Sequence, residues 1–218
     1  MDREKNELVD TIRGLATIDD NFERITSYFM NNLSLVVSNR EYRLTELEVY
    51  YYDEDKHPDP YVHRSPEQLS VGKWYFNGSG LDITIGDADR EIYGGILIRG
   101  IVEIGEKPRY ISGPSNVLKE IFSVMGNITD GQSGICLREL KPEILKVIEI
   151  KPIRCARVGL KKKENDTGNF AEKSYRYIVD LNFQHKFKDK EKVIRQLLTD
   201  GKIKTEQANE IMGYNVKL

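Results

Sequence analysis

A strict two-residue alternation runs through Leu44-Thr45-Glu46-Leu47-Glu48-Val49-Tyr50-Tyr51 and leaves that stretch little choice but an extended strand. In an unbroken strand Leu44, Glu46, Glu48 and Tyr50 share one face, and Thr45, Leu47, Val49 and Tyr51 share the other. A carboxylate two residues from an aromatic ring on one wall suits a pocket: the ring stacks a planar ligand, and the carboxylate holds or activates a water. A solvated Glu/Tyr face is the plainer account of the same pattern. For Glu46 a solvated or structural carboxylate is the simplest reading.

Strand patterns continue over residues 33–104. Leu81-Asp82-Ile83-Thr84-Ile85 alternates, with Asp82 and Thr84 on one face. Gly94-Gly95 opens the apolar run Ile96-Leu97-Ile98-Arg99-Gly100-Ile101-Val102, a buried strand with one charge set in it. Burying a guanidinium is costly unless it is paired, so Arg99 calls for a carboxylate or a phosphate beside it. A structural ion pair would serve equally well.

Helices flank this region. Leu8, Ile12, Leu15, Phe22, Ile25 and Phe29 fall at spacings of 3, 4 or 7, which predicts an amphipathic helix over residues 5–33 with a break near Gly14 or Thr17. Pro114 and Gly126 bracket a second helix. Further strands are expected at 147–150, 154–160 and 175–183. A helix over 188–198 ends at Asp200-Gly201, and Thr205 is placed to cap another short helix. The expected fold is α/β of the α+β type. A single domain over 1–185 has a curved, mostly antiparallel sheet and flanking helices, and residues 186–218 form an appended αα-hairpin open to a protein partner.

Composition narrows the classes of function. No apolar run approaches the roughly 18 residues of a membrane span, so no membrane partner is expected. The first residues carry no apolar leader. Two cysteines, Cys136 and Cys155, make no disulfide framework and favour a reducing, bacterial-type cytosol. With His57, His63 and His185 at no ligand spacing, no metal site is expected. Residues 1–150 hold 17 Lys/Arg against 26 Asp/Glu, whereas residues 151–200 hold 13 against 7. The basic part includes Lys161-Lys162-Lys163, either a solvated surface or a face that contacts phosphates.

Five blocks, in order, resemble the alkyladenine (3-methyladenine) DNA glycosylase family. Glu46-Leu47-Glu48-Val49-Tyr50 resembles its Glu-x-Glu-x-Tyr strand. Ile96-Leu97-Ile98-Arg99-Gly100 is similar to its apolar strand ending in Arg-Ala, and Ile111-Ser112-Gly113-Pro114-Ser115-Asn116-Val117-Leu118 to its Ser-Gly-Pro-x-x-Leu helix start. Arg157-Val158-Gly159-Leu160 and Lys173-Ser174-Tyr175-Arg176-Tyr177 resemble its closing Arg-Val/Ile-Gly and Lys-Pro-Trp-Arg-Phe elements. The resemblance spans residues 33–183 and leaves out the N-terminal helix and the C-terminal hairpin.

The resemblance implies roles. Glu48 activates water with Arg99 helping to hold it, the backbone at Val158 holds the same water, and Tyr50 stacks on the extruded base. Tyr75 falls on the residue wedged into the duplex. Asp82 falls on a pocket asparagine, so an acceptor-only carboxylate replaces an amide and leaves the base preference open. Asp53-Glu54-Asp55-Lys56-His57 and Asp59-Pro60-Tyr61-Val62-His63 both offer the family's pocket histidine. Arg64 after His63 favours the latter. Lys161, Lys162 and Lys163 are the phosphate-binding candidates.

The implied activity is hydrolysis of the N-glycosidic bond of a flipped, modified purine in double-stranded DNA. It requires no cofactor, and with no lysine in the matched pocket no Schiff-base step is expected. The expected location is the nucleoid. A non-catalytic DNA-binding module of the same fold and a hydrolase of free modified nucleosides are the rival readings.

Overall fold

The computed structural model describes residues 2–16, 22–78, 80–126, 129, 134–140 and 151–216. Its centre is one long strand, β2 (Arg40–Asp53), antiparallel along one edge to β6 (Tyr93–Glu103). Along its other edge lie β1 (Leu33–Val37), then β10 (Arg176–Ile178), then the short β3 (His57–Pro58). β6 likewise changes partner, from β5 (Gly80–Ile85) to β7 (Arg109–Ser112). β4 (Val71–Asn77) pairs with β5, β8 (Ile135–Glu139) with β1, and β9 (Ile153–Cys155) with β10. Every pairing among the described residues is antiparallel, and the sheet curves into a half-barrel.

The curvature has a local cause. β2 and β6 both lose regular register between Leu44 and Leu47, where an extra residue sits in each strand. A bulge of this kind bends a strand and re-aims the side chains beside it. Here it falls where each long strand exchanges one neighbour for the next. Gly100 sits at the crossing, where a methyl group would lie 2.9 Å from Glu46 Cβ.

The bulge also corrects the simple alternation. Leu44 is not on the Glu46, Glu48 and Tyr50 face. It packs with Leu47 and Val49 in the main core, because the extra residue reverses the facing of everything N-terminal to it. That core gathers Leu81, Ile83 and Ile85 of β5 and Ile96, Ile98 and Ile101 of β6. Each fully buried Leu or Ile contributes about 1.5–3 kcal/mol.

The helical expectation for residues 5–33 resolves into α1 (Asp2–Ala16) and α2 (Glu23–Asn32), with residues 17–21 outside the described set. Ile12, Phe22, Ile25, Phe29 and Met30 bring them onto the core. α3 (Pro114–Val124) begins at its proline and adds Val117 and Ile121. The strand expected at 147–150 lies outside the described residues. Those expected at 154–160 and 175–183 are shorter, because the chain leaves the ladder to turn in at Arg157 and ends it at Asp180, where φ is +58°.

α4 (Lys190–Thr199) and α5 (Thr205–Met212) form the C-terminal hairpin. Lys204, not Thr205, takes the cap position of α5, and its amide donates to Gln207 Oε1 at 2.9 Å. The hairpin is seated on the sheet through a second apolar cluster in which Phe187, Val193, Ile194 and Leu197 meet Ile178 of β10. No helix among the described residues is long and apolar enough to cross a membrane.

Candidate active site

On the face away from the main core, strand register lines up Tyr75 of β4, Asp82 of β5, Leu97 of β6, Glu48 of β2 and Arg176 of β10. The next row holds Thr84, Gly95 and Tyr50. Residues separated by over a hundred positions in the chain thus meet on one surface.

Glu48 is the most enclosed member, with no exposed area. The backbone N–H of Val158 donates to its Oε1 at 2.7 Å, and the Tyr50 hydroxyl donates to its Oε2 at 2.9 Å. Arg99 Nε stands 3.3 Å from Oε1. The Val158 amide thus grips the carboxylate itself. Burial pushes the Glu48 carboxyl above its usual range, offset in part by Arg99, the Val158 amide, Tyr50 and Arg176. A carboxylate raised in this way and held at both oxygens is a positioned acceptor with a lone pair of Oε2 to spare. Burial and the Glu48 carboxylate push the Tyr50 hydroxyl up, so it stays protonated and donating.

Glu46 does not meet solvent. At 1% exposure, its Oε1 accepts from Arg99 Nε at 2.9 Å and from Arg176 Nε at 2.7 Å. The bulge turns Glu46 inward, and the C-terminal segment closes over it: Arg176 Nη2 donates to Lys188 O, and Phe187 lies beside the Arg176 guanidinium. Arg99 thus has two carboxylates, one structural and one at the site.

Arg157 carries the loop. Its Nη1 bonds Asp59 at 2.7 Å and Val49 O, its Nη2 bonds Phe170 O, and its guanidinium lies 4.6 Å from the Tyr50 ring centroid. This buried anchor brings the next residue, Val158, onto Glu48. Leu97, Asp59 and Gly95 were not legible as site residues from spacing, and Arg157 stood out only as the first residue of the Arg157-Val158-Gly159-Leu160 block.

Of the two histidine candidates one is buried and the other exposed. His57 is buried under α2 and the 170s loop, with Nδ1 2.8 Å from Tyr51 O and Nε2 2.7 Å from the Tyr175 hydroxyl, among Phe22, Tyr51 and Phe170. His63 is exposed on a loop. Lys161, Lys162 and Lys163 are exposed on the loop that follows Val158. Asp166 ties that loop down through the amides of Phe170 and Ala171 and the Tyr61 hydroxyl. Lys163 Nζ is held by Pro60 O at 2.7 Å, and Lys162 Nζ reaches Asn169. Among the described residues no three His, Cys, Asp or Glu side chains gather as a metal set.

Asp82 is 2% exposed. Burial pushes its carboxyl up to about 7, Asn77 lowers it by donating to Oδ1 at 2.8 Å, and the charge of Glu48 raises it. The folded state therefore binds a proton that the unfolded chain has released by about pH 4. Between pH 4 and 7 the unfolded state holds fewer protons, so this group's contribution to stability falls as pH rises. Relative to Asp82→Asn, the parent is expected to lose about 1.4 kcal/mol per pH unit over that window. Urea denaturation of both proteins at pH 4.5 and pH 7 measures it, and parallel curves would contradict it.

No family model matches the chain. It is 30% identical over 142 residues to an uncharacterized protein of Acanthamoeba polyphaga mimivirus, a match that covers 53% of this chain and 65% of that protein.

Proposed function

We propose that the protein is a monofunctional DNA glycosylase that hydrolyses the N-glycosidic bond of a flipped, modified purine. The observation that carries this reading is the grip on Glu48: Val158 N–H, Tyr50 hydroxyl and Arg99 hold a buried carboxylate beside an aromatic ring. Glycosidic cleavage develops oxocarbenium-like charge on the sugar, which a carboxylate stabilises while it takes a proton from attacking water. The Tyr50 ring would restack the extruded base, at about 1–3 kcal/mol per base, on the face that Arg157 does not cover. Tyr75, half-buried on β4 in the same row, is the side chain for the vacated stack.

The test is release of free base from duplex oligonucleotides bearing alkylated, deaminated or etheno-bridged purines. The expected product is an abasic site with the strand intact, and failure on every lesion would remove the glycosylase reading.

The acidic balance of residues 1–150 favours one other reading, a hydrolase of free modified nucleosides. Salt separates the two. If Lys161, Lys162 and Lys163 track phosphates, duplex affinity falls with a log–log slope of about −0.9 per phosphate neutralised, and replacing all three with Ala flattens it by about 2.7. An unchanged slope would return these lysines to solvent.

A further inference from the structure

Asp82 has one oxygen committed and one unclaimed. Oδ1 accepts from Asn77, and Oδ2 has no hydrogen bond among the described residues. Gly95, between Thr84 and Tyr50 in the adjoining row, lacks the side chain that would collide with two polar groups brought up against it. A methyl group on Gly95 would lie 2.9 Å from Asp82 Oδ2 and 3.1 Å from Gln68 Nε2. Gln68, in the 3-10 turn Pro66–Leu69, is 1% exposed. Its Oε1 accepts from the Ser65 amide at 3.3 Å, which turns the Nε2 donor toward Gly95. An acceptor and a donor thus converge over one glycine, next to the Tyr50 ring. The Asp82 backbone stands two strand spacings, about 10 Å, from Glu48, and its carboxylate reaches back over β6 to Gly95, one spacing from the Tyr50 strand.

We propose that Asp82 and Gln68, set across Gly95, read the far edge of the bound base and require it to present an N–H donor beside an acceptor. This rests on the glycosylase reading. An ionised Asp82 accepts only, so a base edge with lone pairs alone leaves a buried charge unpaired and faces repulsion. Two edges satisfy the pair: the amino group and ring nitrogen of an adenine-type base, and the N–H and carbonyl of hypoxanthine. Ethenoadenine, whose amino N–H is lost to a fused ring, does not.

Around Asp82 the facing groups are Glu48 and Tyr50 of β2, Tyr75 and Asn77 of β4, and Gln68 of the turn, with uncharged Leu97 and Gly95 on β6. Glu48 alone among these adds a second carboxyl raised by burial, and its charge raises Asp82 in turn. Asp82→Asn keeps Glu48, so the difference between parent and variant isolates what Asp82 contributes to the ratio between lesions. Protonation of Asp82 converts its acceptor to a donor, so discrimination against ethenoadenine should shrink on acidification.

The experiment measures both equilibrium binding and single-turnover base release for duplexes carrying alkylated adenine, hypoxanthine or ethenoadenine, with the parent and Asp82→Asn, at pH 8 and pH 6. The parent at pH 8 is expected to bind at least one donor-bearing lesion about 10-fold or more tighter than ethenoadenine. The ratio should fall at pH 6 and be small and pH-independent in Asp82→Asn. Which of the first two lesions is preferred identifies the source of the donor. Equal binding of all three by the parent, or a ratio that Asp82→Asn leaves unchanged, overturns the inference even if base is released. Preserved discrimination in binding with no release of any base supports the edge reading and removes the glycosylase mechanism instead.

Discussion

Glu48→Gln is expected to slow base release in a single turnover by about 10²–10⁴-fold while leaving duplex binding nearly unchanged. Glutamine keeps the shape and an acceptor for the Val158 amide, and it removes the group that takes the proton from water. Folding should survive, because burial already disfavours the charged form of Glu48. The same burial sets the pH profile of the parent. Its rate should rise with pH through a carboxyl titration above the usual glutamate value, and the variant should lack that limb. A variant that releases base like the parent would show that Glu48 is not the base. A parent that binds lesion duplex and releases nothing would favour the non-catalytic DNA-binding module.

Glu46→Ala is expected to destabilise the fold by about 3–5 kcal/mol. The loss leaves the guanidiniums of Arg99 and Arg176 both buried and without their shared partner. Against a typical total of about 5–15 kcal/mol this is a large share, and part of the population would be unfolded at 37 °C. Urea denaturation at pH 7 measures it. A loss under about 1 kcal/mol would mean that water reaches both arginines as soon as the carboxylate is gone. The two glutamates of one strand therefore separate by experiment, Glu48 through rate and Glu46 through stability.

The strand bearing both was legible because alternation is local, and the helices at Pro114 and in the tail were legible from their punctuation. Leu44 was misplaced because a bulge leaves no mark in a sequence that still alternates. The burial of Glu46 was hidden for a related reason: Arg176 and Phe187, which close over it, lie about 130 residues away. His57 looked like a pocket residue by spacing alone. Its placement depends on Tyr175 and Phe22, from opposite ends of the chain. Gln68 carried no signal, since its importance lies in a missing side chain at Gly95.

The partners of the two glutamates set an order of events during synthesis. Residues 33–103 contain β1, β2, β4, β5 and β6 and can pair among themselves as they leave the ribosome. The Val158 amide that grips Glu48 lies 110 residues downstream, and the Arg176 side chain that neutralises Glu46 lies 130 downstream. Closures of that length are slow and come at the end. A nascent chain therefore carries its Glu48 strand in a sheet with Arg99 and Tyr50 already beside the carboxylates, but without the Val158 amide and the Arg176 side chain that complete their hold. The grip on Glu48 is complete only after the loop at Val158 has been made.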